Sequence, residues 1–494
     1  MPAATTTAPQ RPLGVWSPGV RRLTVGLVLT ITLVAFQSLA VATVMPIISD
    51  DLDGLALYGW VFSAFFLASL LGIVMAGQAA DRRGLAPPFA VGLVVFAAGL
   101  LAAGLAPSMP VLVAARCAQG FGAGAIPAVG YAAIGRGYSP ALRPRMFAVL
   151  STAWVIPGLA GPAVATLIEG AASWRAVFAA LLPLVALAAA MELPALRALD
   201  RAHRDAHPDR PTADGGGAVD TAAVDTAAAG GAAAGGAAAG GDRTGRAVAL
   251  VAGVGAVLLA VGGTVAGPVA VVLGAGGAVV AVGAFVGLVP VGTLRLRPGV
   301  PATVGVRGVL TFAFFSSDAY LSLAVVEGRG GSTLQGGLAL TAAAVTWTAG
   351  AWTQERRLGA DGPRRLDTIG FALLLAGICG VLGVALGLPL WLIVPAWAVG
   401  GFGMGLAYAP LSVTVLAAAR PGEEGTASAS LQLSDTLGVA LGTGVGGALV
   451  ALADAQGRSV ATGVALVFAA SALAATLGVL AARRLPAQVP RDRG

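Results

Sequence analysis

Long stretches of this chain contain no charged residue. Three of them run from Leu23 to Ile48, from Gly84 to Ala115 and from Phe371 to Ala419. Each is longer than the roughly 20 apolar residues that a helix needs to cross a hydrocarbon core about 30 Å thick. Charged residues make up 11% of the 494 residues, whereas a soluble domain carries about 25%. The sequence therefore predicts an all-α polytopic membrane protein.

Glycine, proline and charged residues divide the apolar runs into about fourteen predicted spans. We expect two pseudo-symmetric six-helix bundles with two additional helices between them, an arrangement typical of transporter repeats. The predicted segments, in chain order, are a cytoplasmic tail at 1–21, a six-helix bundle at 22–196, a disordered linker at 197–246, two additional helices at 247–289, a second six-helix bundle at 302–482 and a cytoplasmic tail at 483–494. The additional pair is rich in Gly and Val, so a tightly packed or re-entrant hairpin is an alternative.

The linker prediction depends on composition. Residues 197–246 are rich in Gly, Ala and Asp and contain no aromatic residue. A segment of this kind buries too little apolar area to offset the entropy lost when it orders. Both histidines of the chain, His203 and His207, lie in this segment. As solvated linker residues they are poor candidates for a metal or catalytic site.

The basic residues are all arginine, and their positions predict the orientation of the chain. If the N-terminus is cytoplasmic, nearly all arginines fall in cytoplasmic segments, Arg307 among them. The exceptions are Arg175, Arg329 and Arg458 in outer segments and Arg116 within a span. Positive charge accumulates on the cytoplasmic side, so we expect an even number of spans with both termini cytoplasmic. Because arginine has GC-rich codons and lysine does not, we expect the plasma membrane of a high-GC bacterium.

The same residues exclude several classes of function. The pI near 10.3 could indicate a nucleic-acid partner, but the arginines lie at the ends of apolar runs, so none is expected. Without lysine there is no G-x-x-x-x-G-K-[ST] phosphate loop for ATP hydrolysis. The predicted spans hold no histidine, and no paired membrane carboxylates are evident, so a membrane-embedded enzyme or a metal site lacks support.

The octapeptide GQAADRRG, residues 77–84, concentrates charge between two apolar runs. Gly77 is expected to let two helices approach closely, and Asp81 to cap or lie near a helix N-terminus. Arg82 and Arg83 are expected to hold the loop in the cytoplasm. A partial repeat, GAWTQERRLGADGPRR, follows the second span of the second half, and in it Gly and Arg-Arg recur at nearly the same spacing. The two loops are thus predicted to correspond.

Three motifs now carry a resemblance to a known family. GQAADRRG resembles the G-x-x-x-D-R-x-G loop of the major facilitator superfamily, and RCAQGFGAG, from Arg116, resembles its R-x-x-Q-G-x-G motif. WVIPGLAGPAVA in the fifth span resembles the Gly-Pro motif of its antiporters. The additional pair of spans resembles the fourteen-helix drug:proton antiporter branch. The resemblance implies a monomeric carrier with no bound cofactor, which uses the proton gradient as its energy source.

The resemblance also implies roles for single residues. The loop residues would form a cytoplasmic gate: Gly77, Asp81, Arg82 and Gly84. Arg116 would take part in proton coupling. Glycines and a proline would pack helices closely: Gly120, Gly122, Gly158, Gly161 and Pro162. The chain departs from the family at three places. Leu85-Ala86 stands where the family often has a basic pair after the loop, and Ala165-Thr166 stands where it has Gly-Gly after Gly-Pro. The neutral Gln37 lies in the first span, where an acid is common.

Intramembrane charges are expensive, so each marks a candidate functional site. Asp318 is a carboxylate among aromatic residues in the first span of the second half, and Asp435 lies in the inner third of its span. A proton or substrate role is the hypothesis for both and for Arg116. Gln37 is a further candidate, since it lies in the first span, where the family often has an acid. The alternative interpretation is a packed, neutral or carbonyl-bonded side chain.

These observations favour a secondary active transporter, which exports hydrophobic or amphiphilic compounds in exchange for protons. Its partners would be a small-molecule cargo, protons and the lipid bilayer. Alternating access between two states would move the cargo past a midplane site. A facilitator or importer of a small solute, with the same fold, is the alternative.

Overall fold

The computed structural model describes residues 14–139, 155–206, 227–261, 267–418 and 424–488, together with a few isolated positions between 142 and 153. The regular structure of this part of the chain is helical, as predicted. The helices are α1 (Arg21–Asp51), α2 (Tyr58–Arg83), α3 (Ala86–Gly104), α4 (Met109–Gly137), α5 (Val155–Ala171), α6 (Trp174–Ala179), α7 (Leu182–Ala206), α8 (Ala227–Val261), α9 (Gly267–Leu288), α10 (Val300–Arg329), α11 (Thr333–Ala385), α12 (Ile393–Ala418), α13 (Glu424–Ala455) and α14 (Val460–Ala482).

Twelve segments of the described chain are long and apolar enough to cross a membrane. One of them, α11, contains 53 residues. At 1.5 Å per residue this is about 80 Å, more than twice the thickness of a hydrocarbon core. Its backbone leaves the helical conformation at Gly362, where φ is 71° and ψ is 165°. Residues 333–361 and 363–385 therefore form two helical segments joined by a sharp turn.

The two halves use the same turn with different caps. Gly84 follows α2 with φ 86° and ψ 177°, close to the values at Gly362, and glycine adopts such angles without strain. In the first half, the Asp200 carboxylate accepts hydrogen bonds from two backbone N–H groups at the start of α3, at 2.8 and 2.9 Å. In the second half, the Pro486 carbonyl accepts one from the Arg364 N–H at 3.3 Å. A backbone carbonyl thus replaces a side-chain cap.

The predicted linker, 197–246, is shorter in the structure. Helix α7 continues to Ala206, with His203 in its last turn, and α8 begins at Ala227. Tertiary contacts explain the first difference, because Leu196 is fully buried and Asp200 caps α3. Residues 207–226, which include His207, lie outside the described residues.

Replacing Asp200 by alanine is expected to destabilise the protein by about 0.5 to 2 kcal/mol, the range measured for lost helix caps. The physical reason is that two N–H groups at the start of α3 lose their acceptor. Thermal unfolding of the detergent-purified protein measures the change. Asp205→Ala is the matched control, because Asp205 is an exposed acid on the same helix. Equal midpoints for the two variants would contradict the capping role.

The two halves also repeat the same glycine contacts. A Cβ on Gly124 of α4 would overlap the Ser69 carbonyl of α2, and a Cβ on Gly405 of α12 would overlap the Trp347 carbonyl of α11. Small residues let helix backbones approach this closely. Helix α12 is therefore the counterpart of α4, and the first segment of α11 is the counterpart of α2.

This correspondence corrects the register of the predicted loop repeat. The sequence alignment paired GQAADRRG with the stretch from Gly350 to the Arg356-Arg357 pair. In the structure Gly84 corresponds instead to Gly362. The spacing from Gly72 to Gly84 equals that from Gly350 to Gly362. Gly72 lies against α4, and Gly350 lies against α12, the counterpart of α4. The arginine pair of the second half therefore lies within a helix, before the turn.

The halves meet at the end of the molecule where α2 begins. A Cβ on Gly59 of α2 would overlap the backbone of Gly447 on α13. One turn further, the Ser63 hydroxyl lies 3.1 Å from the Thr443 hydroxyl and 3.1 Å from the carbonyl oxygen of Ala440. The two bundles are in backbone contact at this end, with no room for a side chain between Gly59 and Gly447.

Helices α8 and α9, between the halves, are both candidate spans. Their backbones approach at Gly253 and Gly277, where a Cβ on either would lie 2.7 Å from the carbonyl oxygen of the other. Leu258 of α8 lies beside Gly444 of α13, so the pair is attached to the second half as well as to α2. Most valines of α9 are exposed, as expected for a lipid-facing helix.

Candidate functional site

An aromatic cluster in the second half connects the two predicted carboxylates. Phe314 of α10 stacks on Trp397 of α12 with ring centroids 5.0 Å apart. Trp347 of α11 lies edge-on to Phe314 at 5.3 Å and contacts Tyr408 of α12 at 5.4 Å. We call these four residues the aromatic chain. One end of it contacts Asp318 and the other contacts Asp435.

Asp318 lies at the Trp397 end of the aromatic chain. The Trp397 indole N–H donates to Asp318 Oδ1 at 2.9 Å, and the indole is fully buried. Within the described residues no arginine forms an ion pair with Asp318. A carboxylate with a neutral donor as its partner can gain and lose a proton without breaking a salt bridge. The structure thus places Asp318 among aromatic residues, as the sequence predicted.

Asp435 lies at the other end and has a charged partner. Arg307 Nε donates to Asp435 Oδ1 at 2.6 Å, and the Tyr408 hydroxyl donates to Oδ2 at 3.3 Å. The Arg307 guanidinium also lies 3.1 Å from the Tyr408 ring centroid and donates to its carbonyl at 2.5 Å. Only 4% of the Arg307 side chain is exposed. Asp435 is therefore half of a buried ion pair.

The sequence interpretation of Arg307 as a loop arginine is wrong. Arg307 lies two turns inside α10 on the face toward α13. An arginine near the start of an apolar run looks the same in sequence whether it faces solvent or a neighbouring helix. Its pairing with Asp435 arises from contacts between residues far apart in the chain. The positive-inside count alone could not reveal it.

Asp367 is a further intramembrane carboxylate that the sequence analysis missed. It lies near the start of the second segment of α11 and is fully buried. Neither carboxylate oxygen has a hydrogen-bond partner in the described structure. Arg307 acts on it electrostatically. The signal was present in the sequence, since Asp367 opens an apolar run, but that position resembles an ordinary helix end.

Arg116 lies on α4, in the first half of the chain, where it is buried. Its Nε donates to the Val61 carbonyl at 3.0 Å, and its Nη1 donates to Gln119 Oε1 at 2.5 Å. The guanidinium lies 4.2 Å from the centroid of the Phe65 ring. Gln37 Nε2 donates to the same Gln119 oxygen at 3.4 Å. Arg116 and Gln37 are thus brought together through Gln119, whereas no hydrogen bond or ion pair described here joins Arg116 to Asp318.

The internal repeat relates the site of Arg116 in the first half to the site of Trp397 and Asp318 in the second half. Arg116 precedes Gly120 by one turn, as Trp397 precedes Gly401, and both glycines lie against the backbone of the corresponding second helix. Arg116 and Trp397 are therefore counterparts. The first helix of the first half supplies Gln37 to this place, and the first helix of the second half supplies Asp318. At this place the second half has a titratable side chain, that of Asp318, whereas the first half has the amide of Gln37.

The loop carboxylate Asp81 lies near the N-terminus of α3, one of its two predicted placements, but it does not cap that helix. It lies in the last turn of α2, where Arg136 Nη2 of α4 is 3.7 Å from Asp81 Oδ1. The Asp81 side chain is 82% exposed. The carboxylate that caps α3 is Asp200 instead. Asp81 thus forms an exposed ion pair with a neighbouring helix end.

The other loop residues divide into two groups. Gly84 has the positive φ that ends α2, so its type is required by the turn. Gly77 was predicted to bring two helices together, and this is wrong in the described state, because a Cβ there would meet no atom within 4 Å. Arg82 is exposed at the end of α2, as a topological arginine would be.

The predicted packing residues all contact a neighbouring helix, and a Cβ on Gly120, Gly122 or Gly158 would overlap it, whereas a Cβ on Gly161 would make ordinary contact. Gly120 lies against α2, and Gly122 lies against α3, where its Cβ would be 2.7 Å from a backbone nitrogen. Gly158 and Pro162 of α5 lie against the first segment of α11 in the other half, and Gly161 lies against α1. Helix α5 therefore belongs to the interface between the bundles.

Comparison with known proteins bears on the family and the fold. The sequence profile of the Major Facilitator Superfamily matches residues 27–361. A probable multidrug-efflux transporter of Mycobacterium tuberculosis is 25% identical over 92% of this chain and 94% of its own. Multidrug resistance protein 3 of Bacillus subtilis is 29% identical over 37% of this chain and 34% of its own. The fold is similar to that of an auto-inhibited POT family peptide transporter, with a TM-score of 0.61 at 15% identity over 96% of this chain and 99% of the other.

Proposed function

Because the chain belongs to the major facilitator superfamily, we propose that it is a proton-coupled exporter of hydrophobic or amphiphilic compounds. The observation that carries this proposal is Asp318, an intramembrane carboxylate with a neutral indole as its hydrogen-bond donor. The name of the Mycobacterium relative, a probable multidrug-efflux transporter, supports the direction and the cargo class, and the Bacillus relative is named a multidrug resistance protein. Trp347 and Tyr408, the partly exposed members of the aromatic chain, offer flat apolar surface to a hydrophobic cargo.

The proposal includes a topology. The chain crosses a bacterial plasma membrane fourteen times as a monomer when α5 and the two segments of α11 are counted separately. Both termini are cytoplasmic, which places the many exposed arginines at the inner helix ends on the cytoplasmic side. The contact of Gly59 with Gly447 then lies at the outer end of the molecule. The described state is therefore closed toward the outside.

The mechanism follows from this topology. Alternating access requires α2 and α13 to separate at their outer ends while the inner ends approach. In the outward-open state Asp318 takes a proton from outside, and in the inward-open state it releases that proton to the cytoplasm. Gain of the proton removes the charge that the Trp397 N–H stabilises and changes the relative free energies of the two states. Arg116 remains bonded within the first half and keeps α2 and α4 together.

Reconstitution tests the proposed function directly. The purified protein is placed in liposomes, and ethidium is the probe. A proton gradient is expected to move ethidium toward the acidic compartment against its concentration gradient. Ethidium flux that follows its own gradient and ignores pH would contradict proton coupling and favour a facilitator. Absence of any protein-dependent flux would contradict the cargo class.

Replacing Gly59 by valine is expected to hold the outer end open. The added side chain would overlap the Gly447 backbone, so the closed state loses its helix contact. The measurement uses a variant in which Cys117 and Cys379 are serines and Ser63 is a cysteine. A membrane-impermeant thiol reagent should label that cysteine at least several-fold faster when Gly59→Val is present.

The control is Gly255→Val, because a Cβ on Gly255 of α8 meets no atom within 4 Å. It should leave the labelling rate unchanged. Equal labelling of all three proteins would contradict the assignment of this contact to the outer gate.

A further inference from the structure

One buried carboxylate has no place in the cycle described above. Glu192 lies on α7 in the first half and is fully buried. Its Oε2 accepts a hydrogen bond from the Thr30 hydroxyl of α1 at 2.5 Å. Its Oε1 has no hydrogen-bond partner in the described structure. A buried polar atom without a partner costs about 1 to 3 kcal/mol, so such an atom calls for an explanation.

A small cavity lies beside this carboxylate. Its volume is about 10 Å³, and it is lined by apolar side chains of α1 and α4, by Leu150, and by Thr30 and Tyr131. This is close to the roughly 10–15 Å³ that a single water molecule needs. A metal cation would need several further oxygen ligands, and a drug-sized cargo would need a much larger space. The ligand that fits Glu192 is a proton.

The charges around Glu192 support the same conclusion. Helix α1 presents Thr30 to it, and α4 presents Tyr131 and Tyr138, whereas α3 contains no titratable side chain. Within the described residues no arginine forms an ion pair with Glu192. An ionised carboxylate without a cation is strongly disfavoured in such surroundings. A proton on Glu192 removes that charge and also supplies a donor that a water in the cavity could accept.

We propose that Glu192 is a second proton-binding site, which is occupied in the described state and exchanges its proton during the transport cycle. Its role in transport rests on the proposed proton coupling, but its protonation does not. Ionisation requires water to reach Oε1, which is buried here beside the side chains of α1 and α4 that line the cavity. Release of the proton is therefore linked to the movement of α1 and α4 away from α7. Each half of the molecule would then carry one proton site, with Glu192 in the first and Asp318 in the second.

Infrared spectroscopy of the purified protein tests the site without cargo. Protonated carboxyl groups absorb separately from carboxylates, and the band is recorded from mildly acidic to mildly alkaline pH. The wild-type minus Glu192→Gln difference is expected to contain the band of one carboxyl group at neutral pH. Asp205→Asn removes an exposed carboxyl from the same helix and should leave the neutral-pH band unchanged. A wild-type band in Glu192→Gln would overturn the proposal.

A second variant keeps the test decisive if Glu192→Gln does not fold. Thr30→Val retains Glu192 and removes only the donor to Oε2. The band should persist with a shifted frequency, because a hydrogen bond to the carboxyl group is lost. An unshifted band would overturn its assignment to Glu192.

Transport then tests the role in the cycle. Proteoliposomes with Glu192→Gln should move fewer protons for each ethidium exported than wild-type proteoliposomes do. An unchanged ratio would overturn the exchange of this proton. If the proposed proton coupling itself fails, wild-type flux ignores pH while the infrared difference persists, so the two failures are distinguishable.

Discussion

Replacing Asp318 by asparagine is expected to abolish proton-driven export of ethidium from proteoliposomes. Asparagine has nearly the same volume, and its side-chain oxygen can still accept the hydrogen bond from the Trp397 indole, which is 2.9 Å from the carboxylate in the wild type. The aromatic chain therefore keeps its geometry. The lost property is titration, because an amide neither gains nor releases a proton near neutral pH. Flux under an imposed pH gradient should fall to that of empty liposomes.

Two measurements separate this result from loss of fold. Ethidium binding to Asp318→Asn in detergent should persist, since the aromatic chain is intact. Asp454→Asn, which changes an exposed acid on α13, should export like the wild type. Full pH-driven export by Asp318→Asn would exclude Asp318 as the proton carrier. Another intramembrane carboxylate would then have to supply the coupling.

Replacing Arg307 by methionine is expected to have the largest effect on stability. The substitution leaves the Asp435 carboxylate buried without its ion-pair partner, which lies at 2.6 Å in the wild type. Loss of one partner of a buried pair costs about 3 to 5 kcal/mol. Asp435→Leu should cost a similar amount, because it leaves the buried guanidinium unpaired. Unfolding of the purified protein in mixed micelles of increasing denaturing detergent gives the free energies.

The double variant is the decisive control for this ion pair. Arg307→Met with Asp435→Leu removes both charges and fills the site with apolar atoms. Such replacements are often neutral, so it should regain most of the stability that either single variant loses. Arg136→Met, which breaks the exposed pair with Asp81, should cost no more than about 1 kcal/mol. Additive losses in the double variant would show that the two side chains do not act as a pair.

Several features of the site could be predicted from the sequence. Asp318, Asp435 and Arg116 stood out because charge inside an apolar run is costly and therefore rare. A Cβ on Gly120, Gly122 or Gly158, three of the predicted packing glycines, would overlap a neighbouring helix. These residues could be singled out because residue type and position along the chain suffice for it. The proton or substrate roles of Asp318, Asp435 and Arg116 stay predictions.

Other features depend on which helix faces which. In the sequence, Arg307 looked like an arginine of a cytoplasmic loop, but the packing of α10 against α13 pairs it with Asp435. Glu192 and Asp367 looked like residues near helix ends, but both are buried. Asp81 was predicted to cap or lie near a helix N-terminus, and it lies just before α3, but the cap itself is Asp200, far away in the chain. Hydrogen-bond partners are set by distances of about 3 Å, and a hydropathy pattern carries no such information.

The sequence by itself determined that this protein is a helical membrane protein of two related halves, and its motifs identified the superfamily. Long uncharged runs can satisfy their backbone groups in a bilayer only as helices, so composition decides the fold class. Only the tertiary structure decided the register of the repeat and the partners of each charge. These depend on backbone contacts such as Gly59 with Gly447, where the absence of a side chain lets distant segments meet.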